Sequence, residues 1–180
     1  NLTADWNFYK PFTLQVNVGY NKNTISRNSY ISKSNLLGNS NNGYVTVQKL
    51  SDYSKLLETI LKYNQSFGKH HIDAMIGYSW QYFYGEGQTT KAYGFLSDNF
   101  KWYSLAAAQT VESISSYAES NTLISMYGRV NYNYADKYLL TATVRRDGSS
   151  RFGSGNKWGV FPSVAASWRI SQEDFFQNDV

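Results

Sequence analysis

The part of the chain between residues 127 and 175 places an apolar residue at every second position along three long segments. A three-residue turn joins the first two segments, and a longer polar loop joins the second and third. One face of each segment carries aliphatic residues with Tyr and Trp, and the other face is polar and includes arginines. Because successive side chains of a β-strand point to opposite faces, this pattern predicts strands with lipid on one side and water on the other.

The same alternation recurs along the rest of the chain. It predicts seven strands, over residues 2–8, 12–20, 56–67, 71–84, 122–134, 138–145 and 158–170. Strands in globular proteins usually have about five or six residues, and several of these segments are longer. Trp80, Val130, Leu140, Val144 and Val164 fall on the predicted lipid side. Ser171 and the acidic residues that follow it predict the start of a helix.

The connections between the predicted strands alternate strictly in length. The short turns are residues 9–11, 68–70 and 135–137, and the long loops are residues 21–54, 85–121 and 146–157. All short turns therefore lie at one end of the sheet and all long loops at the other. Outer-membrane barrels have short periplasmic turns and long extracellular loops, so we expect Lys10, Lys69 and Asp136 to lie in the periplasm.

The composition is compatible with membrane strands. Mean hydropathy is −0.50, and the chain has no apolar run long enough for a transmembrane helix, but in a barrel only alternate strand residues meet lipid. Aromatic residues make up 17% of the chain and cluster beside short turns, as at Tyr132, Tyr134 and Tyr138. A soluble antiparallel sandwich would also alternate. Strand length, the sorting of the loops and the position of the aromatics favour the barrel.

The sequence contains no pattern typical of catalysis or of cofactor binding. Cys is absent, and the only two histidines, His70 and His71, are consecutive, so in a regular strand they point to opposite faces and cannot hold one metal ion. Neither a G-x-S-x-G nor a P-loop motif occurs. The basic residues are scattered rather than clustered, which speaks against nucleic acid as a partner. We therefore expect no catalytic, cofactor-binding or metal site, and we do not expect the protein to be an enzyme.

Two consecutive motifs point to a family. Residues 145–153 read RRDGSSRFG, and residues 158–171 read WGVFPSVAASWRIS. Together they resemble the SusC/RagA-type TonB-dependent outer-membrane transporters of Bacteroidetes, in which this pair is close to a signature. The resemblance is specific over residues 123–175 and looser over residues 63–80. It implies that residues 1–180 are part of one TonB-dependent receptor domain, an all-β antiparallel transmembrane β-barrel of roughly 22 strands, with the plug domain and TonB box outside this segment.

The resemblance also implies a function. A protein of this type lies in the outer membrane, contacts its lipid and lipopolysaccharide, and works with a SusD-like surface lipoprotein. It imports oligosaccharides or peptides with energy delivered by the TonB complex. Two alternatives remain open, namely a passive porin-like barrel without a plug and a soluble carbohydrate-binding β-sandwich. A plug and a TonB box elsewhere in the protein would exclude both.

The densest charge cluster lies in the signature loop, whose members are Arg145, Arg146, Asp147, Gly148, Arg151, Phe152 and Gly153. Asp147 and Gly148 suit a tight turn in which the arginines pair with nearby carboxylates. The alternative is a contact with an anionic partner, such as a substrate or a lipopolysaccharide phosphate. We favour the structural role, because a motif shared by transporters of varied substrates suits architecture better than selectivity.

Two further sets of residues are predicted to make contacts. Arg129, Arg145 and Arg169 are expected to face the barrel lumen, where the resemblance implies contact with the plug. In the long loops, exposed aromatic side chains can stack on sugar rings or peptide side chains, or they can pack the loops together. Phe100, Trp102 and Tyr103 are the predicted contacts to a substrate or partner.

Overall fold

The computed structural model describes residues 1–176, in which seven antiparallel strands form one sheet in chain order, from β1 to β7. The strands are β1 Leu2–Tyr9, β2 Phe12–Ile31, β3 Tyr44–Phe67, β4 His70–Phe95, β5 Ala108–Tyr134, β6 Tyr138–Ser149 and β7 Trp158–Trp168. A short helix, α1, spans Leu36–Asn39, and 3-10 turns span Leu105–Ala107, Ile170–Gln172 and Asp174–Phe176. None of the helices in this part of the chain is long and apolar enough to cross a membrane.

The sequence predicts each of these strands but underestimates the length of β2 to β6, and β6 runs to Ser149 instead of residue 145. β2, β3, β4 and β5 have 20, 24, 26 and 27 residues, so much of the predicted long loops is strand. These extensions are rich in polar residues on both faces. Hydrophobic alternation is therefore weak there, and pairing with the neighbouring strands decides the structure. The remaining loops, 32–43, 96–107 and 150–157, still alternate with the short turns.

The chain divides into two compact units. Unit 1 comprises Asn1–Tyr20, Lys55–Tyr82 and Asn121–Val180, and unit 2 comprises Asn21–Ser54 and Phe83–Ser120. All three short turns belong to unit 1, and the loops at 32–43 and 96–107 belong to unit 2.

One face of β5, β6 and β7 in unit 1, which we call the apolar face, is built from matched rows of apolar side chains. Val130, Ala142 and Val164 lie side by side in the register. Val130 is 48% exposed and Val164 is 74% exposed. Nothing among the described residues covers this face as a second sheet would. Such an exposed apolar surface is stable only against lipid or another protein surface.

An aromatic row closes the apolar face beside the short turn 135–137. Tyr134 pairs with Tyr138, which pairs with Trp168. The ring centroids are 6.3 Å apart in the first pair and 6.4 Å apart in the second, with nearly parallel planes. Rows of Tyr and Trp at the end of an apolar band are typical of a membrane–water interface.

Within residues 170–176, two 3-10 turns stand where the sequence predicts the start of a helix, and Glu173 lies between them. Its carboxylate accepts from the Tyr138 hydroxyl at 2.6 Å, the Lys137 ammonium at 3.0 Å and the Trp168 indole at 3.1 Å. These bonds, led by the one from Tyr138, lower the pKa of Glu173 to about 2. The carboxylate thus ties the chain after β7 back to the aromatic row.

Unit 2 has a small hydrophobic core of its own. Val45, Ala92 and Phe95 are fully buried, and the rings of Tyr30 and Trp102 pack against them. Backbone hydrogen bonds also hold the surrounding segments together. For example, the Phe95 N–H donates to the carbonyl oxygen of Asn42 at 2.8 Å. The core fixes the ends of β3 and β4 next to the loop 96–107.

Candidate functional site

Arg145, at the long-loop end of β6, is held by its own sheet. Its Nε lies 2.8 Å from both carboxylate oxygens of Asp147, and its Nη2 donates to the Ser125 hydroxyl at 3.1 Å. The guanidinium carbon also lies 5.6 Å from the centre of the Tyr127 ring. Residues 145 and 147 are two apart in a strand and therefore share a face. An arginine–carboxylate pairing is predicted for the signature loop, but the tight turn predicted at Asp147 and Gly148 is wrong, because both residues are paired on either side within β6.

The face that carries Arg145, which we call the polar face, is crossed by further hydrogen bonds. Tyr127 donates its hydroxyl proton to Glu58 at 2.8 Å, and Asn17 donates to the same carboxylate at 2.7 Å. Asn131 donates to Asp73 at 2.9 Å and accepts from the Thr141 hydroxyl at 2.9 Å. This hydrogen-bonded surface of side-chain carboxylates, amides and hydroxyls, extending from β2 to β6, is suited to contact with water.

A close approach on the polar face depends on Gly77. An ideal Cβ at Gly77 would lie 2.3 Å from Cζ of Tyr127, the residue that holds Glu58. We expect Gly77→Ala to destabilise the folded barrel by about 1–3 kcal/mol, because the ring must leave its position. The measurement is a denaturant titration of the purified protein in detergent micelles.

Gly128→Ala is the matched control, because a Cβ there meets nothing nearer than 3.6 Å. It should change the free energy of unfolding by less than about 0.5 kcal/mol. Equal losses for the two variants would show that the Tyr127 contact is not the cause.

Arg146 points to the apolar face, opposite to Arg145. In the register it lies between Met126 and Val160, and its guanidinium carbon is 4.6 Å from the centre of the Trp158 ring. Trp158 in turn lies against Gly148, where an ideal Cβ would be 2.7 Å from two ring carbons. The signature loop thus divides its two consecutive arginines between the two faces of the sheet.

The remaining signature residues organise the loop 150–157. With its amide oxygen turned towards the guanidinium, Asn121 accepts from Nε and Nη2 of Arg151 at 2.9 and 3.0 Å. The backbone N–H of Ser150 donates to the carbonyl oxygen of Thr122 at 3.0 Å. Phe152 is exposed, and a Cβ on Gly153 would meet no atom within 4 Å. These contacts fasten the loop to β5.

A crevice of about 370 Å³ opens on the polar face beside this loop. Its lining includes Arg145, Asp147, Phe152, Lys157 and Phe161. Two exposed aromatic rings next to charged groups form a surface suited to an amphipathic ligand. Sequence reasoning identified Arg145, Asp147 and Phe152 but not Phe161, whose place depends on its register partner in β6, Arg145.

The two other arginines predicted to face the lumen differ in setting. Arg129 lies on the polar face beside Thr143 and Ser163, with a long hydrogen bond of 3.8 Å to the sulfur of Met75. Arg169 follows the end of β7, and its backbone N–H donates to the carbonyl oxygen of Lys137 at 2.8 Å. Contact of either arginine with a plug stays a prediction.

The predicted aromatic contacts lie in loop 96–107 of unit 2. Tyr103 is 77% exposed and Phe100 is 39% exposed. Trp102 packs against the buried core, with its ring centroid 5.1 Å from that of Tyr103. The three side chains are thus in one loop, but Trp102 has a packing role as well. Their contact with a substrate or partner stays a prediction.

Asp98, in the same loop, is an organising residue that the sequence did not single out. It accepts from the Tyr30 hydroxyl at 2.7 Å, the Ser32 hydroxyl at 3.0 Å and the Lys33 N–H at 3.2 Å. These hydrogen bonds, led by that from Tyr30, hold the pKa of the Asp98 carboxyl below its ordinary value. Tyr30 is 68 positions away in the sequence, so only the folded structure reveals the group.

The adjacent histidines point to different partners. His70 Nδ1 lies 2.6 Å from the Tyr132 hydroxyl, and His71 Nδ1 lies 2.9 Å from the Ser66 hydroxyl. Within residues 1–176, no group of three or more His, Asp and Glu side chains is arranged to hold a metal ion.

Comparison with known proteins places this two-faced sheet in a family. The profile of the TonB dependent receptor-like, beta-barrel family matches residues 1–176. The chain belongs to this family. The sequence predictions of family and of an all-β antiparallel barrel fold are therefore confirmed.

Relatives of this TonB-dependent receptor segment come from Bacteroidetes. It is 33% identical to TonB-dependent receptor P3 of Formosa agariphila, over 99% of this chain and 18% of that protein. It is 36% identical to TonB-dependent receptor SusC of Bacteroides thetaiotaomicron, over 76% of this chain and 13% of that protein. The solved RagAB peptide transporter superposes with a TM-score of 0.88 and 25% identity, over 98% of this chain and 20% of that chain. The segment therefore spans at most 20% of the length of these three proteins.

Proposed function

We propose that the protein containing this segment is an outer-membrane transporter that imports oligosaccharides or peptides with TonB-derived energy. The observation that carries the proposal is the two-faced sheet of unit 1. Its exposed apolar face, closed by the aromatic row Tyr134–Tyr138–Trp168, suits lipid. Its polar face, crossed by hydrogen bonds between side chains, suits a water-filled lumen.

Membership of the family supports the proposed energy source and the proposed class of protein. TonB-dependent receptors are named for their dependence on TonB, and the family is one of receptors and transporters rather than enzymes. The name of the RagAB peptide transporter supports a peptide substrate, and the resemblance of the two sequence motifs to SusC/RagA-type transporters leaves an oligosaccharide as the alternative. We infer contact with TonB through regions outside this segment, and a SusD-like lipoprotein as surface partner.

Within the segment, the loops of unit 2 are the proposed contact region for substrate or partner. Tyr103 and Phe100 present exposed rings, which can stack on sugars or on peptide side chains. The buried cluster around Phe95 and the hydrogen bonds to Asp98 hold the same loop in place. A contact loop that is ordered before binding loses less conformational entropy on binding.

Dependence on TonB tests the proposed function. In cells that express the intact protein, growth on its cognate oligosaccharide or peptide should require both the receptor and TonB, because the barrel of an active importer conducts only when energised. Growth on the corresponding monomers, which enter through general porins, should require neither and serves as the control. Uptake that continues unchanged without TonB would instead support the passive porin-like barrel.

Membrane orientation gives a second test. Cysteines placed at Ser40 or Ser116 should react with a membrane-impermeant thiol reagent on whole cells, because the long loops and the strand extensions are proposed to be extracellular. Cysteines placed at Lys69 or Asp136, in the short turns, should react only after the outer membrane is opened. The segment itself contributes no background, since it has no cysteine. The reverse labelling pattern would contradict the proposed topology.

A further inference from the structure

A second crevice, of about 160 Å³, opens on the apolar face where β5, β6 and β7 approach loop 150–157. Its lining combines the apolar residues Ile124 and Trp158 with the polar residues Thr122, Ser150 and Lys157. Ile124, Gly148 and Trp158 form one row of the register. The crevice is therefore continuous with the surface proposed to face lipid.

Arg146 stands in the next row of the same face. Its guanidinium lies over the Trp158 ring at 4.6 Å, and the ring is seated against Gly148. Among the described residues, no carboxylate forms an ion pair with Arg146 or Lys157, and no acidic residue lines the crevice. Asp147 lies in the row of Ser125 and Gly159 on the opposite face, where it pairs with Arg145.

Arg146 lies on the lipid-facing surface, and Lys157, which also lines the polar-face crevice, borders the same surface. Both cations can therefore bind an anion from the membrane surface. Arginine and lysine near the end of a membrane-spanning segment extend their charged groups to the headgroup region. A guanidinium held over an indole is oriented and partly desolvated, and arginine binds phosphate with paired hydrogen bonds. A crevice that combines apolar residues with polar and basic ones thus fits a ligand with a phosphate at one end and an acyl chain at the other.

We propose that this crevice binds the phosphate-bearing headgroup of an outer-leaflet lipid, with Arg146 and Lys157 on the phosphate and Ile124 and Trp158 against the first part of the acyl chain. The inference rests on the proposed function, since it requires the apolar face to lie in the outer membrane. A soluble anion is a poorer fit, because the crevice opens on the apolar face rather than on the polar one. Gly148 acts as a positioning residue for Trp158.

The test uses the purified full-length receptor and native mass spectrometry. The probes are a phosphorylated lipid A, the same lipid after enzymatic removal of its phosphates, and inorganic phosphate as a competitor. The wild-type receptor should retain the phosphorylated lipid selectively. Arg146→Gln and Lys157→Gln should each lower its affinity about fivefold, the usual effect of one basic residue near an anionic lipid surface. Arg27→Gln, the same change at an exposed site in unit 2, should have no effect.

Two results would overturn the proposal. Equal binding of the two lipids, or an unchanged affinity in the double variant Arg146→Gln/Lys157→Gln, would show that the cations do not bind a lipid phosphate. Displacement of the phosphorylated lipid by millimolar inorganic phosphate would indicate a site for soluble anions instead.

Fractionation and uptake assays on the same cells separate this inference from the proposed function. A receptor that resides in the outer membrane and supports TonB-dependent uptake, but shows no preference for phosphorylated lipid, overturns the lipid site alone. A receptor that is absent from the outer membrane overturns the proposed function and the lipid site with it.

Discussion

Replacement of Phe95 by alanine should lower the free energy of local opening of unit 2 by about 3–5 kcal/mol, the usual loss of stability when a buried aromatic ring is deleted. Phe95 is fully buried with Val45 and Ala92, and its ring centroid lies 5.5 Å from that of Tyr30 in an edge-on contact. Loss of the ring would leave a cavity among these side chains, because a strand pair held by backbone hydrogen bonds cannot collapse fully to fill it. Hydrogen exchange of the amides around Val45 and Phe95, followed by mass spectrometry, measures the opening free energy.

Phe83→Ala provides the control for Phe95→Ala. Phe83 lies in the same strand, β4, and in the same unit, but it is 37% exposed. Its replacement should change exchange in unit 2 much less. If both variants exchange alike, the cluster around Phe95 does not hold the unit together. A loss of protection in Phe95→Ala alone would also show that this core supports loop 96–107, which carries the proposed contact aromatics.

Val130→Arg should lower the stability of the assembled barrel by about 2–4 kcal/mol, the cost of a basic side chain at the middle of a lipid face. Less of the protein should therefore fold in the membrane. Val130 lies in the row Val130–Ala142–Val164, between the aromatic row and the row of Arg146. A guanidinium there would lie away from both ends of the apolar face, so it could reach the headgroup region only with difficulty. The folded fraction in outer-membrane preparations, resolved by the faster migration of unheated folded barrels on gels, measures the effect.

Asn131→Arg is the matched change on the polar face, one residue away. It removes hydrogen bonds to Asp73 and Thr141, each worth about 0.5–1.5 kcal/mol, but the new guanidinium lies beside the Asp73 carboxylate and in water. It should therefore assemble better than Val130→Arg. Equal tolerance of the two changes would contradict a lipid-facing apolar face.

The strand pattern is readable from the amino-acid sequence alone, because contact of one face with lipid leaves an alternation of apolar and polar residues that does not depend on the neighbouring strands. The short turns, the order of short and long connections and the signature motif were also readable from the sequence. The Arg145–Asp147 pair was not, because it depends on β6 continuing through Asp147 to Ser149, where the sequence predicts a turn. The assignment of Val130 and Val164 to one surface follows from the alternation of faces along each strand.

Features that depend on residues distant in the sequence emerge only in the folded chain. The extensions of β2 to β5 are rich in polar residues, so hydrophobic alternation is weak there, although Val45, Ala92 and Phe95 form the buried core of unit 2. Pairing with the neighbouring strands sets the length of the extensions. The ties of Asp98 to Tyr30 and of Glu58 to Tyr127 join residues 68 and 69 positions apart. The contact of the Trp158 ring with Gly148, beside Arg146, arises from the β6–β7 register. Only this pairing, which no local pattern encodes, brings the indole and the guanidinium together on the apolar face.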